Sequence, residues 1–535
     1  MRHMLLGAAA SAVLLAACGG GEEAAKEKAA AETPSAAPVL AEFTLREGDA
    51  SKANDALAAM FLNESEAGRV GFGDSSVDGA TATFSNVVIT VPEDSDEQPV
   101  PISVGTLSLK GLDMTEAGAS FAQLQLSDVS ITAPEGEEGG LTVSNIDISN
   151  PSPELAAWVS SLFGQGEPAE FPSMDKVTFD AVSFDGLSFN MTEDGEAAAF
   201  DVGKFSLNSL TAEKLGAFII EGVDFNFQDD EDQQVKIGMG SMSLSGADLG
   251  FVEALQEAVA SGADEDEMTA AIMGAVYENP MDPGFDGFAL SEFAVDAAGV
   301  TFDIPSLESV IQRNGAGDPV RFVTKPYKMT LGADPEGELG KELAGPLGMM
   351  GYETVEVTGE SVYDYDPEAD IATFEASQNY VSVTDGFSFR TGGKVEGYSA
   401  YAKSFANLDF TADEPDMGVI QEAVSNLVLH NLEFTLEDDS IVDRAFNLAA
   451  AQSGQDPAAL RGQAQMAVGF LPLMAGESGV DPELLTEVSG ALSSFLAEPG
   501  TLTLKLAPEA PISAASFTDP SQITKDALGF SATAE

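Results

Sequence analysis

Carboxylate side chains with the spacing of a metal-binding loop occur in one segment of this chain. Asp364, Asp366, Glu368, Asp370 and Glu375 occupy positions 1, 3, 5, 7 and 12 of a calcium-loop template, with isoleucine at position 8. Position 6 is alanine where the template has glycine, position 4 is proline, and both flanks alternate like strands. We therefore favour a turn around Asp366-Pro367 that joins two strands. Weak calcium binding at these carboxylates is the alternative.

Other chemistry-bearing residues are scarce. The chain has two histidines, His3 and His430, and we expect His430 to be a structural residue on the apolar face of a strand. Without clustered histidine or cysteine, zinc hydrolysis, copper or haem ligation and thiol chemistry are disfavoured. No nucleophile elbow, phosphate-binding loop or dinucleotide fingerprint stands in a strand-turn-helix context. We predict no catalytic residues, no cofactor and no enzymatic activity.

The single cysteine, Cys18, ends the run Leu15-Ala16-Ala17-Cys18. Arg2 precedes an apolar stretch from Met4 to Ala17, which is too short to span a bilayer and is typical of a removed signal peptide. The small-small-Cys ending resembles the lipobox of bacterial lipoproteins, which implies that Cys18 is lipidated and that the protein is anchored to a membrane. That resemblance also implies the outer membrane, because Gly19 is not the aspartate of inner-membrane retention. We expect the periplasmic face.

The composition is strongly acidic. The chain has 89 Asp and Glu against 23 Lys and Arg, a formal net charge of −66. Such a surface repels nucleic acid and anionic headgroups, so we expect no nucleic-acid partner. Solvation explains the acidic residues most simply, and a salty medium or divalent cations would suit them. A single cysteine also excludes an intramolecular disulfide.

The composition changes along the chain and predicts its organisation. Residues 19–38 are rich in Gly, Ala, Glu and Lys and predict a flexible tether. We expect a signal peptide at 1–17, lipidated Cys18 and tether at 18–38, a duplicated β-rich region at 39–260, a further β-meander region at 261–410, and C-terminal strands with a helical insertion at 411–535.

An internal duplication is predicted within residues 39–260, with units at about 80–165 and 178–262. The segment 104–109 (VGTLSL) is echoed by 202–207 (VGKFSL), an offset of 98. The helical segment 153–159 is likewise followed by 251–255.

Alternating apolar and polar residues predict strands at 177–184 and 223–227, and the stripe Leu155, Trp158, Val159 and Leu162 predicts a helix that begins near Pro153. Further along the chain, the pattern predicts strands at 355–365, 371–377, 381–390, 427–436 and 500–506, a short helix at 306–314 after Pro305, and helices opened by Asp456-Pro457 and Asp481-Pro482. The predicted fold is mainly β: elongated antiparallel meander repeats with short intervening helices and a helical insertion near the C-terminus.

Two apolar features have alternative interpretations. Many of the 32 phenylalanines fall at alternating strand positions, which predicts a broad apolar sheet face. A second layer covers such a face in a compact sandwich, and a lipid can cover it in an open sheet. The segment 466–474 is rich in Met and apolar residues, for which we favour a buried helix over an adaptable binding surface.

The repeated Gly-x-[Leu/Phe]-Ser-Leu strands, with 128–131 (DVSI) and 223–227 (VDFNF), resemble the β-rich region of AsmA-like envelope proteins. Residues 351–374 and 499–504 also resemble uncharacterised exported proteins of Gram-negative bacteria. AsmA-like proteins usually have a transmembrane helix, where this chain has the predicted lipid anchor. The resemblance implies a β structure that handles lipid or supports the envelope.

Two functions follow from these features. The first is a non-enzymatic outer-membrane lipoprotein whose β-rich body binds a hydrophobic ligand or phospholipid, or scaffolds outer-membrane assembly with other envelope proteins. The second is a surface-exposed, acidic, cation-dependent adhesion or matrix protein. Copurifying lipid would favour the first, and stabilisation by calcium would favour the second.

Overall fold

A computed structural model describes residues 36–90, 101–132, 138–164, 169–193, 196–228, 234–250, 281–406, 424–473, 480–518 and 523–535. Within these ranges the chain forms two compact units, an N-terminal unit of residues 36–250 and 285–297 and a C-terminal unit of residues 281–284 and 298–535. Both units consist mainly of antiparallel strands, which confirms the predicted fold class. Cys18 and the predicted helix at 251–255 lie outside the described residues.

In its described residues, the N-terminal unit is one long meander with a small hairpin and the two helices α1 and α2. Its elements are α1 (Ala53–Ala59), β1 (Val70–Gly71), β2 (Asp74–Asp78), β3 (Thr81–Thr90), β4 (Pro101–Lys110), β5 (Asp113–Thr115), β6 (Gly118–Ser120), β7 (Gln123–Thr132), β8 (Glu138–Ser149), α2 (Pro153–Ser161), a 3-10 turn (Met174–Lys176), β9 (Phe179–Glu193), β10 (Glu196–Leu210), β11 (Lys214–Gln228), β12 (Gln234–Asp248) and β13 (Gly287–Ala297). The main sheet runs β3–β4–β7–β8–β9–β10–β11–β12–β13, with β1 and β2 both paired to the outer side of β3, and β5–β6 form the separate hairpin.

Helix α2 forms as its sequence predicts. The Ser152 side chain accepts a hydrogen bond from Leu155 N, and Pro153 fills the first turn, where its missing N–H costs nothing. Leu155 and Val159 are buried, and Trp158 packs against the same core. The predicted apolar stripe is therefore the face by which α2 joins the unit.

A first line of backbone irregularity crosses the N-terminal sheet. Residues with positive φ interrupt the strand ladder on every second strand: Asn86 on β3, Asp128 on β7, Gly186 on β9, Gly222 on β11 and Glu292 on β13. The strands between them place a small residue opposite, namely Gly105, Ser144, Gly203 or Gly240. A Cβ on Gly105 would lie 3.0 Å from Asp128 Cβ, so the left-handed residue and the glycine depend on each other.

A second line of positive φ runs parallel to the first on the alternate strands. It consists of Gly111 after β4, Asn150 after β8, Ser209 on β10 and Gly246 on β12. Each lies six positions beyond the small residue of the same strand that faces the first line (105 to 111, 144 to 150, 203 to 209 and 240 to 246). The side-chain alternation shifts at each line, yet apolar residues on both sides of the lines belong to one core.

The C-terminal unit combines a second meander with most of the helices. Its elements are β14 (Val300–Arg313), β15 (Pro319–Ala333), α3 (Glu338–Met349), β16 (Thr354–Asp366), β17 (Ile371–Phe374), a 3-10 turn (Ala376–Gln378), β18 (Tyr380–Val383), β19 (Phe387–Glu396), α4 (Tyr398–Ala406), β20 (Val428–Asp438), α5 (Ile441–Ser453), α6 (Pro457–Gly469), α7 (Pro482–Ala497), β21 (Thr501–Leu506), β22 (Ile512–Ser513), a 3-10 turn (Ala514–Thr518), α8 (Lys525–Leu528) and β23 (Phe530–Ala534).

The predicted C-terminal strands and helical insertion are confirmed. Helices α5, α6 and α7 lie between β20 and β21 in sequence, and α7 packs on β21 and β23 through Phe495. The Asp456 side chain accepts hydrogen bonds from the first N–H groups of α6, and the Asp481 side chain accepts one from Glu483 N in α7. These aspartates are therefore the N-caps that their sequence positions predict.

Two predicted elements of this unit are wrong. Residues 306–314 belong to strand β14 and its end, not to a helix, because pairing of residues 309–313 with β15 overrides the start signal of Pro305. Residues 381–390 are not one strand but the hairpin β18–β19, which turns at Asp385 with φ 55° and the following Gly386. Asp-Gly is a strong hairpin signal.

The side chain of Asn379 fills a gap in the hydrogen-bond ladder of β16, which pairs first with β18 and then with β17. β16 pairs with β18 at 357–360 and with β17 at 363–366. In the gap, Asn379 Nδ2 donates to Val362 O at 2.7 Å, and Asn379 Oδ1 accepts from Val362 N at 3.0 Å. Asn379 is only 3% exposed, so its side-chain amide replaces the missing ladder bonds.

Candidate functional site: an apolar sheet face

Two rows of apolar side chains run in register across the nine main strands of the N-terminal sheet, between the two lines of irregularity. Cross-strand partners in each row lie directly opposite one another. The first row is Phe84, Leu107, Leu126, Ile146, Phe184, Phe205, Ile220, Met242 and Leu290, and the second row is Ala82, Leu109, Leu124, Ile148, Val182, Leu207, Phe218, Leu244 and Phe288. We call these two rows the apolar face.

The N-terminal part of the apolar face is covered. Leu107 and Leu109 are 0% exposed and Phe84 is 1% exposed. They share a core with Leu57 of α1 and Leu155 of α2, and both helices pack on the small hairpin β5–β6. This end of the face is therefore the interior of a two-layer structure, and we call it the covered half.

The part of the apolar face on β10 to β13 has the same rows but less burial. Phe205, Phe218, Met242 and Leu290 are all only half-buried. Within the described residues, α1 and α2 pack mainly on the β5–β6 hairpin, and neither has an extensive contact with β10 to β13. We call this part the open half. Its members Leu207, Phe218 and Leu244 pack against the edge of the same core and remain partly exposed.

Aromatic contacts hold the side chains of the open half against one another. The ring centroid of Phe205 lies 5.8 Å from that of Phe184 and 5.4 Å from that of Phe218, and both pairs are edge-to-face. A further aromatic pair, Phe200 and Phe225, lies beyond the first line of irregularity with centroids 6.0 Å apart. These ring contacts stabilise neighbouring strands laterally, and the rings remain partly exposed.

The opposite face of the sheet is polar. Gln125 Nε2 donates to Asn145 Oδ1 at 2.9 Å, and Asn145 Nδ2 donates to Asp185 Oδ2 at 3.4 Å. Ser206 and Ser243 occupy the same face on β10 and β12. The two faces therefore differ in chemistry, and the two apolar rows contain no ionisable side chain among their described members. The apolar face can bind by burial of hydrocarbon and has no group for acid–base chemistry.

The carboxylates of the calcium-loop template lie at a strand-to-strand turn. β16 ends at Asp366 and β17 begins at Ile371, which confirms the predicted turn. Asp366 Oδ1 accepts hydrogen bonds from Glu368 N at 3.0 Å and Ala369 N at 3.2 Å. These bonds fix the turn around Pro367.

The remaining template carboxylates do not converge. Asp364 pairs with Arg321 at 2.9 Å, Glu368 and Glu375 are exposed, and Asp370 accepts from Tyr365 Oη at 2.9 Å. Burial and the hydrogen bond to Asp370 raise the pKa of Tyr365 to about 12. Across the described ranges, no group of three or more His, Cys, Asp or Glu is placed to hold a metal ion.

The other residues noted in the sequence have local roles. His430 on β20 places Nε2 3.3 Å from Glu396 Oε2 on β19. The prediction of a buried helix at 466–474 is wrong for its described residues: Met466 is 61%, Phe470 60% and Leu473 74% exposed. Their exposure depends on which side of α6 packs on α5 and α7, which an apolar run in the sequence cannot reveal.

Sequence reasoning predicted a broad apolar face but not its members. It recognised the motif on β4 and β10, where glycine precedes the rows, and passed over β8 and β12. On β8 Ser144 takes the place of glycine, and on β12 methionine replaces the first apolar residue. The members of the rows share a sequence pattern that could have identified them. A small residue is followed by apolar residues two and four positions later, and by a second small or polar residue six positions later.

Comparison with known proteins gives little further information. A family model described as an uncharacterized protein matches residues 380–535. No curated protein and no solved structure matches the chain. Among the described residues, no helix is long and apolar enough to cross a membrane.

Proposed function

We propose that this chain is a non-enzymatic lipoprotein of the bacterial outer membrane, anchored through Cys18 on the periplasmic side, whose N-terminal unit binds the hydrocarbon part of a phospholipid. The observation that carries the proposal is the continuity of the apolar face. The same two rows of side chains that form a dry core beneath α1 and α2 continue into the open half without change of chemistry.

The dimensions of the open half suit an acyl chain. Neighbouring strands lie about 4.8 Å apart, so β10 to β13 extend over roughly 14 Å. One leaflet of a bilayer has a hydrocarbon thickness of roughly 15 Å. A single acyl chain laid across the rows would therefore contact all four strands, and each buried methylene contributes about 0.8 kcal/mol.

The charge of the chain favours some headgroups over others. With a formal net charge of −66, the protein repels anionic headgroups. The described members of the apolar rows offer no cation to offset that repulsion. We expect zwitterionic or neutral lipids to bind in preference to anionic ones.

The test is native mass spectrometry of the chain from Gly19 onward, secreted to the periplasm and purified without detergent. We expect a stoichiometric lipid that leaves on denaturation. The double variant Phe205→Ser/Phe218→Ser should lose it, because both rings belong to the open half.

A matched control is the exposed aromatic pair of the C-terminal unit, Phe389 and Phe434, whose centroids are 6.3 Å apart. The variant Phe389→Ser/Phe434→Ser should keep the lipid. A lipid-free mass in the parent protein, with no stabilisation by added phospholipid, contradicts the proposal. Retention of lipid by the Phe205→Ser/Phe218→Ser variant would place the binding surface elsewhere.

A further inference from the structure

An exposed apolar stripe lies at the C-terminal end of helix α6. Met466 is in the last turn of α6, and Phe470 and Leu473 follow the last residue of the helix, Gly469. The three residues are spaced i, i+4 and i+7, and their exposed fractions are 61%, 60% and 74%. Apart from Val39, they are the most exposed large apolar side chains among the described residues. We call these three residues the α6 stripe.

The opposite side of α6 is firmly held, so the exposure of the stripe is not the result of a loose helix. The Arg461 guanidinium lies 5.2 Å from the ring centroid of Phe446 on α5 and pairs with Asp443. Ser489 of α7 donates a hydrogen bond to Val468 O at 2.8 Å. The neighbouring helices therefore fix which side of α6 faces outward.

The segment that carries the stripe is also free of acidic residues. In this chain 89 of 535 residues are Asp or Glu, so twenty residues carry about three on average. Residues 457–476 contain none, and their one charged residue is Arg461, which is already paired. The electrostatic repulsion that keeps the rest of the surface away from a membrane is therefore reduced at this segment.

We propose that the α6 stripe is a bilayer contact, inserting Met466, Phe470 and Leu473 into the interface of a lipid membrane. A protein-binding surface normally surrounds its apolar centre with polar and charged groups that fix orientation. The one charged side chain within 457–476, Arg461, is paired with Asp443 on α5. An exposed apolar stripe can bury itself about 5–10 Å deep at the headgroup–acyl boundary, with a strength that scales with its apolar area. This inference uses residues of the C-terminal unit and does not depend on lipid binding at the apolar face.

The test uses the chain from Gly19 onward, which lacks the predicted anchor, and flotation with phosphatidylcholine vesicles. We expect the parent protein to float with the vesicles and Met466→Ser/Phe470→Ser/Leu473→Ser to bind about tenfold or more weakly. The variant should fold, because all three side chains are exposed, and far-ultraviolet circular dichroism checks this. Val77→Ser on β2, where Val77 is 48% exposed beside Asp78, is the matched control and should float like the parent.

A second measurement locates the contact. Phe470→Trp should show a blue-shifted emission on vesicles and quenching by brominated acyl chains beyond that of native Trp158. Equal flotation of the parent and the triple variant overturns the proposal. So does an absence of flotation in both, or a finding that the triple variant only dissociates a protein oligomer. Loss of flotation with retention of copurified lipid separates this inference from the proposed function.

Discussion

The covered and open halves of the N-terminal sheet have the same pattern of side chains and different surroundings. Leu109 on β4 and Leu207 on β10 belong to the same row, and each lies four positions after a glycine that faces the first line, Gly105 or Gly203. Leu109 is 0% exposed, whereas Leu207 is only half-buried. The strand pattern thus determines which face is apolar. It does not determine what covers that face, because the cover comes from segments distant in sequence.

The largest expected difference between the halves is in the cost of a cavity. Leu109→Ala should lower the free energy of unfolding of the N-terminal unit by about 3–4 kcal/mol, because a fully packed site cannot collapse. Leu207→Ala should cost about 1–2 kcal/mol, since part of its surface is already accessible. Urea denaturation followed by the fluorescence of Trp158 in α2 measures both. Equal losses would mean that the open half is as well packed as the covered half.

The first line of irregularity offers a second comparison between strands. Gly186 and Gly222 have φ of 62° and 64°, so alanine is strained at both positions. A Cβ on Gly186 would also lie 2.5 Å from Ser144 Oγ, whereas the nearest atoms to one on Gly222 are 3.5 Å away. We expect Gly186→Ala to cost about 2–3 kcal/mol and Gly222→Ala about 1 kcal/mol. Similar losses would show that φ alone decides the effect.

Alkaline pH should unfold the C-terminal unit before the N-terminal unit. The covered and open halves can then be compared in an N-terminal unit that is still folded. Burial raises the pKa of Tyr327, like that of Tyr365, to about 12, and all eight tyrosines lie at residue 277 or beyond. A raised folded-state pKa favours the neutral phenol, so its stabilisation is complete below pH 10 and is lost as the pH rises towards 12.

We therefore expect the C-terminal unit to unfold first above pH 10, while Trp158 still reports a folded N-terminal unit. Tyrosinate absorbance and Trp158 emission, recorded in one titration, follow the two units. Simultaneous loss of both signals would mean that the units unfold as one.

The smallest expected effect involves no mutation. Backbone amides of β12 and β13 should exchange hydrogen faster than those of β3 and β4, because the covering helices protect the latter. Within the N-terminal sheet, added phosphatidylcholine should slow exchange on β10 to β13 and leave β3 and β4 unchanged. Uniform protection across the sheet would indicate a general stabilisation in place of binding at the open half.

Sequence reasoning predicted elements better than surroundings. It placed the starts of α2, α6 and α7 correctly because each helix has a proline in its first turn, Pro153, Pro457 or Pro482, and this signal is local. It was wrong at 306–314, where pairing with β15 decides the structure, and at the α6 stripe, where exposure depends on α5 and α7. The members of the open half could be predicted as strand residues, but their exposure could not.

The internal duplication with an offset of 98 remains a prediction, and the structure suggests a shorter unit. The pattern of β4 recurs on β8, β10 and β12, so each hairpin of the N-terminal sheet carries it once. Glycine at 105 and 203 makes two copies easy to recognise, and Ser144 conceals a third.

The alternation of the two lines sets a parity rule for how such a sheet can change in length. Odd members of the series β3, β4, β7 to β13 carry their left-handed residue in the first line, and even members carry it in the second. A lost or added single strand would bring two left-handed residues of the same line side by side, or two small residues opposite each other. Strands can therefore be gained or lost only in pairs. Each added hairpin would widen the apolar face by about 10 Å without disturbing its neighbours.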